Sequence, residues 1–249
     1  AAYGNQSEHY AKKSQAQQLL EMSRINIFGM ANLLAALDTV PFEYFVNTGS
    51  AFGEYGEGRN KFQENQMVRP STFYGGTKAA AALLAETFGR ASRKNVTTLR
   101  LTYVYGPQEG LDRFIPTVIE KCLKKQELSL TSLKEKKDFI FIDDVMQAYL
   151  HLLKSQPKDC PVINIGASRE STLGDVLEIV ERSIGQKICY REGAYLSLQW
   201  PGQCWAVDIT KAYKMIGWKP QYSLDRGIAL TIPWVKKELG LRTPAYAAR

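Results

Sequence analysis

From Ser14 to Leu37 apolar side chains return every three or four residues (Leu19, Leu20, Met22, Ile25, Phe28, Met30, Leu33, Leu34 and Leu37), which predicts one long helix. The run Tyr44-Phe-Val-Asn-Thr48 then reads as a buried strand that ends in small polar residues, Asn47-Thr-Gly-Ser50. A loop with Gly53, Gly56 and Gly58 follows. After Pro70 an Ala-rich helix over about residues 72–93 leads to a second buried strand, Val96–Leu101. Helices that alternate with strands of this kind make an α/β fold with a layered, parallel sheet. Beyond Pro107 the pattern predicts a helix over Phe114–Leu123, a short strand at Leu128–Leu130, a strand at Phe139–Ile142 feeding a helix over Asp143–Leu153, and a strand at Val162–Ile165. A helix over Leu173–Ser183, a strand near Ile188 and a helix over Leu224–Lys237 complete it. With no repeat and no low-complexity linker, the second half reads as a smaller lobe docked on the first.

Composition places the chain among ordinary globular proteins: 249 residues, 45% hydrophobic and 23% charged, enough for one large domain or one and a half. No run of 18 apolar residues is present and Ala1-Ala-Tyr-Gly-Asn-Gln6 does not resemble a signal peptide, so a cytoplasmic location without a membrane partner is the expectation. Cys122, Cys160, Cys189 and Cys204 lack metal-ligand spacing, and His9 and His151 stand alone; free, mostly buried thiols and no metal are expected. The net charge of +7 suits an anionic partner. Its densest run, Lys134-Glu-Lys-Lys137, reads as a solvated loop, which leaves nucleic acid a distant second to a small anionic molecule.

Candidate chemistry centres on Tyr74-Gly-Gly-Thr-Lys78. Residues four apart on a helix share a face, so the Lys78 ammonium is placed to bias the Tyr74 phenol toward phenolate. An unperturbed phenol titrates near 10, and proton transfer near neutral pH asks its surroundings for roughly 3 units, or about 4 kcal/mol. The spacing alone is weak. Its context, a strand ending in Thr48 and Ser50, a loop, then the helix, is how three groups converge on one reacting oxygen.

With Asn26-Ile-Phe-Gly29, Asn32-Leu-Leu, Asn47-Thr-Gly-Ser50, Tyr74-x-x-x-Lys78, Leu99-Arg-Leu-Thr-Tyr-Val-Tyr-Gly-Pro107, Asp138-Phe-Ile-Phe-Ile-Asp-Asp-Val145, Asn164-Ile-Gly166 and Ile216-Gly-Trp-Lys-Pro220 in order, the chain resembles the extended short-chain dehydrogenase/reductases, in their NAD-dependent epimerase/dehydratase branch acting on nucleotide sugars. The resemblance implies a Rossmann-like parallel sheet layered with helices, with residues 1–107 as a partial dinucleotide-binding domain and 108–249 as a mainly substrate-binding lobe whose elements return to the main sheet. It implies Tyr74 as acid/base, Lys78 as the holder of the nicotinamide ribose that lowers the Tyr74 pKa, and Ser50 as the group orienting the substrate. Ala1, Ala2, Asn26, Thr48 and Tyr103 would lie along NAD or NADP, with Tyr103 also touching substrate. A homodimer through the helices at 14–37 and 72–93 is implied too, with Ala81 and Ala85 permitting close approach.

Departures from that pattern shape the expected function. The Gly-rich strand-to-helix turn that cradles a pyrophosphate is absent, and Gly53-Glu-Tyr-Gly-Glu-Gly58 has the wrong order to replace it. About 60 to 70 residues of βαβ structure are therefore expected to be missing before Ala1, on the size of one such unit. Where an Arg often grips phosphate the chain reads Gln199-Trp-Pro-Gly-Gln203, with Trp200 a candidate to stack on a base. The usual Asn before Val-Tyr-Gly-Pro is Tyr103, and the usual Arg before Asp138 is Lys137. Dehydratases carry Asp-Glu after the strand-end hydroxyl, whereas Ser50 is followed by Ala51-Phe-Gly53. An NAD(P)-dependent nucleotide-sugar epimerase or 4-keto reductase is thus expected, ahead of a dehydratase. The alternatives are an enzyme acting on a non-nucleotide ketone or alcohol, and a non-catalytic cofactor-sensing or RNA-binding relative.

Overall fold

The computed structural model describes residues 14–159, 161–195 and 203–241. The first helical run is α1 (Gln15–Met22) and α2 (Gly29–Asp38), joined by a π-helical segment, Ser23–Phe28, instead of one regular helix. Ser14 starts it with a reciprocal capping box to Gln17. The strand β1 (Tyr44–Ser50) follows, and then the predicted loop at 51–58 opens as a short helix, α3 (Ala51–Tyr55). The helix α4 (Phe73–Ser92) starts where the Thr72 hydroxyl accepts the Gly75 N–H, and it ends at Arg93 in the left-handed conformation.

The strands β2 (Asn95–Leu101) and β7 (Val162–Ile165) complete a parallel three-stranded sheet in the order β1-β2-β7. Strand alternation sorts the neighbours. Leu99 joins a core with Val145 and Leu152 of α6 (Ile142–Ser155) and Ile216 of α8 (Thr210–Ile216), on one side of the sheet. Val96 and Arg100 face the other side, where α4 packs. The result is an α/β layered fold of the Rossmann kind. Trp218, buried in the α6 layer, donates its indole N–H to the Asp144 carbonyl at 2.9 Å.

The second lobe is built on α5 (Phe114–Lys124), α7 (Leu173–Ile184) and α9 (Leu224–Glu238), whose Ile115, Ile119, Val176, Val180, Ile228 and Val235 form a separate core. Three two-stranded sheets accompany it: β3 (Tyr103–Tyr105) with β6 (Phe139–Phe141), β4 (Leu128–Ser129) with β9 (Tyr190–Arg191), and β5 (Lys136–Lys137) with β8 (Ser171–Thr172).

Two expectations are corrected. The run at 134–137 is no solvated loop throughout: Lys136 and Lys137 pair as β5, and Lys137 is half-buried against aromatic rings that shield its methylenes. Of the described cysteines, Cys122 is buried, Cys204 partly so and Cys189 exposed, because only Cys122 falls on the inward face of a helix. Cys160 lies outside the described residues. Among those residues no helix is long and apolar enough to cross a membrane.

Two adjacent glycines open α4, and only one is constrained. A Cβ on Gly75 would stand 2.0 Å from the Gly53 carbonyl oxygen, whereas one on Gly76 would meet nothing within 4 Å. Gly76→Ala is expected to leave stability unchanged or raise it by up to about 1 kcal/mol through helix propensity. Gly75→Ala is expected to lower it by roughly 2 to 3 kcal/mol by forcing the helix off α3, as urea midpoints of the two variants will show.

Candidate functional site

The C-terminal ends of the parallel strands bring Thr48, Ser50 and α4 together, the edge at which open α/β sheets place their ligands. Ser50 closes β1 and stands at the N-cap of α3, yet its hydroxyl does not cap that helix. It lies beside the Tyr74 phenol and acts to lower its pKa. The turn is held by Glu54, whose Oε1 accepts the Ser50 backbone N–H at 2.8 Å and whose Oε2 accepts from Arg100 Nε at 2.6 Å. Glycines permit the approach. A Cβ on Gly49 would lie 2.7 Å from Glu54 Oε1, and one on Gly53 would lie 2.8 Å from Ser50 Oγ and 3.3 Å from Tyr74 Cε1.

Tyr74 is half-buried and its phenol is held above its ordinary value, by burial first and by the Glu54 charge, against the Ser50 hydroxyl and the charge of Arg113. Lys78 does not point its ammonium at that phenol. The ammonium donates to the Thr48 carbonyl at the end of β1, the acceptor that a cation buried among strand ends can reach. Burial lowers its pKa, with Glu54 opposing. The structure therefore brings Tyr74, Ser50, Lys78 and Thr48 to one place, but assigns the first shift on Tyr74 to burial.

Asn26 sits in the π-helical segment and reaches α4, where its amide donates to Thr77 Oγ1 at 2.9 Å, one residue before Lys78. Thr48 Oγ1 pairs with the Tyr149 hydroxyl of α6. Tyr103 begins β3 and stacks on Phe52 of α3, with ring centroids 5.3 Å apart and planes 22° apart; Trp205 and Phe139 flank it. Lys137 Nζ lies 4.7 Å from the Tyr103 ring and 4.6 Å from the Trp205 ring, and donates to the Tyr103 hydroxyl at 3.2 Å. This aromatic wall adjoins the Ser50 turn through Phe52. Ala1, Ala2 and Trp200 lie outside the described residues.

Sequence reasoning missed Glu54 as a member of this site, because its partner Arg100 belongs to a different strand and no spacing links them. The nearest signal was the chain's single acidic residue between Ser50 and Tyr55.

Comparisons with known proteins show the family and the fold. The model of the NAD dependent epimerase/dehydratase family matches residues 8–166. The chain is 27% identical over 218 residues to the UDP-glucuronate 4-epimerase of Thermodesulfobacterium geofontis, covering 87% of this chain and 66% of that protein. It is 28% identical over 199 residues to a dTDP-glucose 4,6-dehydratase of Xanthomonas campestris, covering 76% and 56%. It thus spans about two thirds or less of the length of these relatives. Among solved structures, UDP-glucuronic acid 4-epimerase from Bacillus cereus, in complex with UDP-glucuronic acid and NAD, superposes with a TM-score of 0.78 at 24% identity over 86% of this chain and 68% of that one. MoeE5 in complex with UDP-glucuronic acid and NAD gives 0.84 at 23% identity over 95% and 77%.

Beside the site, Glu109 follows β3 with one carboxylate oxygen buried and without a hydrogen-bond partner. Burial raises its pKa from 4.5 to about 7, against the nearby Arg113. A carboxyl whose folded pKa lies above its unfolded value lends stability that is full below the unfolded pKa and is lost as pH rises through the folded one. Glu109→Gln is therefore expected to match the parent in urea unfolding near pH 4 and to exceed it at pH 8, by on the order of 1 kcal/mol after solvent screening.

Proposed function

The chain belongs to the NAD dependent epimerase/dehydratase family, and we propose that it serves as a nucleotide-sugar epimerase or 4-keto reductase working with NAD. The observation that carries the proposal is the meeting of the Tyr74 phenol and the Ser50 hydroxyl at the end of β1, with the Lys78 ammonium one helical turn further along α4. In its phenolate form Tyr74 takes the proton of a sugar hydroxyl as that carbon is oxidised and returns it on the reverse step. Ser50 orients the same oxygen. The half-buried Tyr74 and the nearly enclosed Lys78 keep this exchange apart from bulk water.

NAD, when bound, supplies the hydride acceptor and donor. The residues present fit its nicotinamide-ribose half. Lys78 is buried, gives the Thr48 carbonyl a single hydrogen bond, and retains donors for ribose hydroxyls. Asn26, Thr48 and Tyr103, with Ala1 and Ala2, complete the proposed cofactor-binding set, and Tyr103 shares the substrate side with Ser50 and Tyr74.

Elimination is disfavoured by the same geometry: the acid nearest Ser50 is Glu54, and both its oxygens are committed, to the Ser50 N–H and to Arg100. A second reading, with a non-nucleotide ketone or alcohol as substrate, draws on the Phe52–Tyr103–Trp205 wall, whose rings offer stacking surface beside the Lys137 ammonium. A cytosolic location belongs to the proposal, since the described cysteines are free.

A homodimer is proposed through the first helical run and α4. Leu20, Phe28, Leu33, Leu83 and Leu84 are exposed there. The expected role of Ala81 and Ala85 is corrected: both are buried within the chain, and the adjacent leucines are the ones turned outward. Light scattering at micromolar concentration is expected to give a dimer, and Phe28→Asp with Leu83→Asp a monomer; a parent that is strictly monomeric would remove the idea.

Tyr74→Phe removes only a hydroxyl and is expected to lower turnover of UDP-sugars with NAD by about 10² to 10⁴ in the protein as the cell makes it. Activity within a few-fold of the parent would end the assignment of Tyr74.

A further inference from the structure

We propose that Glu54 is a positioning residue for the Tyr74–Ser50 pair, its buried carboxylate fixing the Ser50 backbone and so the hydroxyl that meets the phenol. This rests on reading Tyr74 and Ser50 as the acid–base couple. Glu54 is fully buried, and a carboxylate in that setting needs a cation and full hydrogen bonding. The best neutralisation of Arg100 would be a two-pronged fork. The structure has another arrangement: one oxygen takes Arg100 Nε, the other takes the Ser50 N–H, and Arg100 Nη1 is left buried without a partner. A carboxylate present only to balance Arg100 would not leave that donor orphaned.

The far side of Arg100 is equally fixed. Its guanidinium lies 4.6 Å from the Tyr55 ring centroid, the Tyr55 hydroxyl donates to Asn164 Oδ1 at 2.9 Å, and the Asn164 amide donates to the Phe62 carbonyl at 3.0 Å. A chain of held groups thus runs from β7 through β2 to the Ser50 turn. No Cβ at position 49 or 53 stands in the way of that turn, and neither position leaves room for it to shift. The charged groups bearing on Tyr74 are Glu54 from α3, Arg113 from the segment before α5, and Lys78 on its own helix, which is turned to Thr48.

Three variants test this. Glu54→Gln keeps an oxygen for the Ser50 N–H and loses the charge; Glu54→Ala loses both; Glu54→Ala with Arg100→Met also removes the stranded cation and carries the test if the single variant does not fold. In ¹⁵N-labelled protein, hydrogen exchange of the Ser50 amide is expected to quicken in both Ala variants and to remain slow in Glu54→Gln. Turnover in the Ala variants is expected to fall by about 10- to 100-fold in kcat with KM little changed, as misplacement of a reacting group predicts. Glu54→Gln is expected to recover most of kcat while its pH profile moves to lower pH, because an anion beside the phenol has gone. A Ser50 amide equally protected in the Ala variants, or a Glu54→Gln profile that does not move, would overturn the proposal. If Tyr74→Phe retains full turnover, the acid–base reading fails instead, and the Ser50 exchange data still decide whether Glu54 holds the turn.

Discussion

The buried pair of Glu54 and Arg100 is the constraint on which the arrangement of strand ends depends. Taking two charges out of water is costly, and their attraction repays it only where the geometry is good and the remaining polar atoms are bonded. Here the pair joins the turn after β1 to the middle strand of the sheet at 2.6 Å, and it does so under the hydroxyl that meets Tyr74. Replacing such a pair by apolar side chains is often neutral or stabilising, and removing one partner costs about 3 to 5 kcal/mol. A core assembled for stability alone would have no use for it, so its presence beneath Ser50 is consistent with a geometric role.

The same low-dielectric setting governs the site's titration. Tyr74 is shifted upward and Lys78 downward by burial, so each is pushed toward its neutral form. The two side chains, one turn apart, do not cancel these shifts by pairing with each other. Lys78 finds the Thr48 carbonyl and Tyr74 finds Ser50. The consequence is a phenol that rests protonated and a cation whose remaining donors face the strand ends, which suits a site completed by a ligand rather than one satisfied internally.

Around this centre the two lobes contribute different surfaces. The sheet layer supplies rigid strand ends, and the second lobe supplies Lys137 and Trp205, packed on Tyr103 and Phe52. Asp138 accepts backbone N–H groups from Ala167, Ser168 and Val207 and fixes the seam between them. Rigid seams of this kind let residues far apart in sequence be held in one geometry.

Much of this was legible in the chain. Apolar periodicity located β1, β2, β7 and the long helices, since burial of a face is written into spacing. The Tyr74-x-x-x-Lys78 pattern following a strand that ends in Thr48 and Ser50 pointed to the candidate site, because helix and strand periods fix which residues can share an edge. Short elements such as α3, α8, β5 and β8 were not visible, as few residues carry a period and their stability comes from partners elsewhere. Nor was the direction of the Lys78 ammonium, the outward turn of Leu83 and Leu84 in place of Ala81 and Ala85, or the pairing of Glu54 with Arg100. Sequence alone determined which groups stand on the longer strands and helices. Only the tertiary structure decided which polar atoms meet, because in a buried site each donor and acceptor takes the nearest partner that packing provides, and that partner lies on another strand or helix.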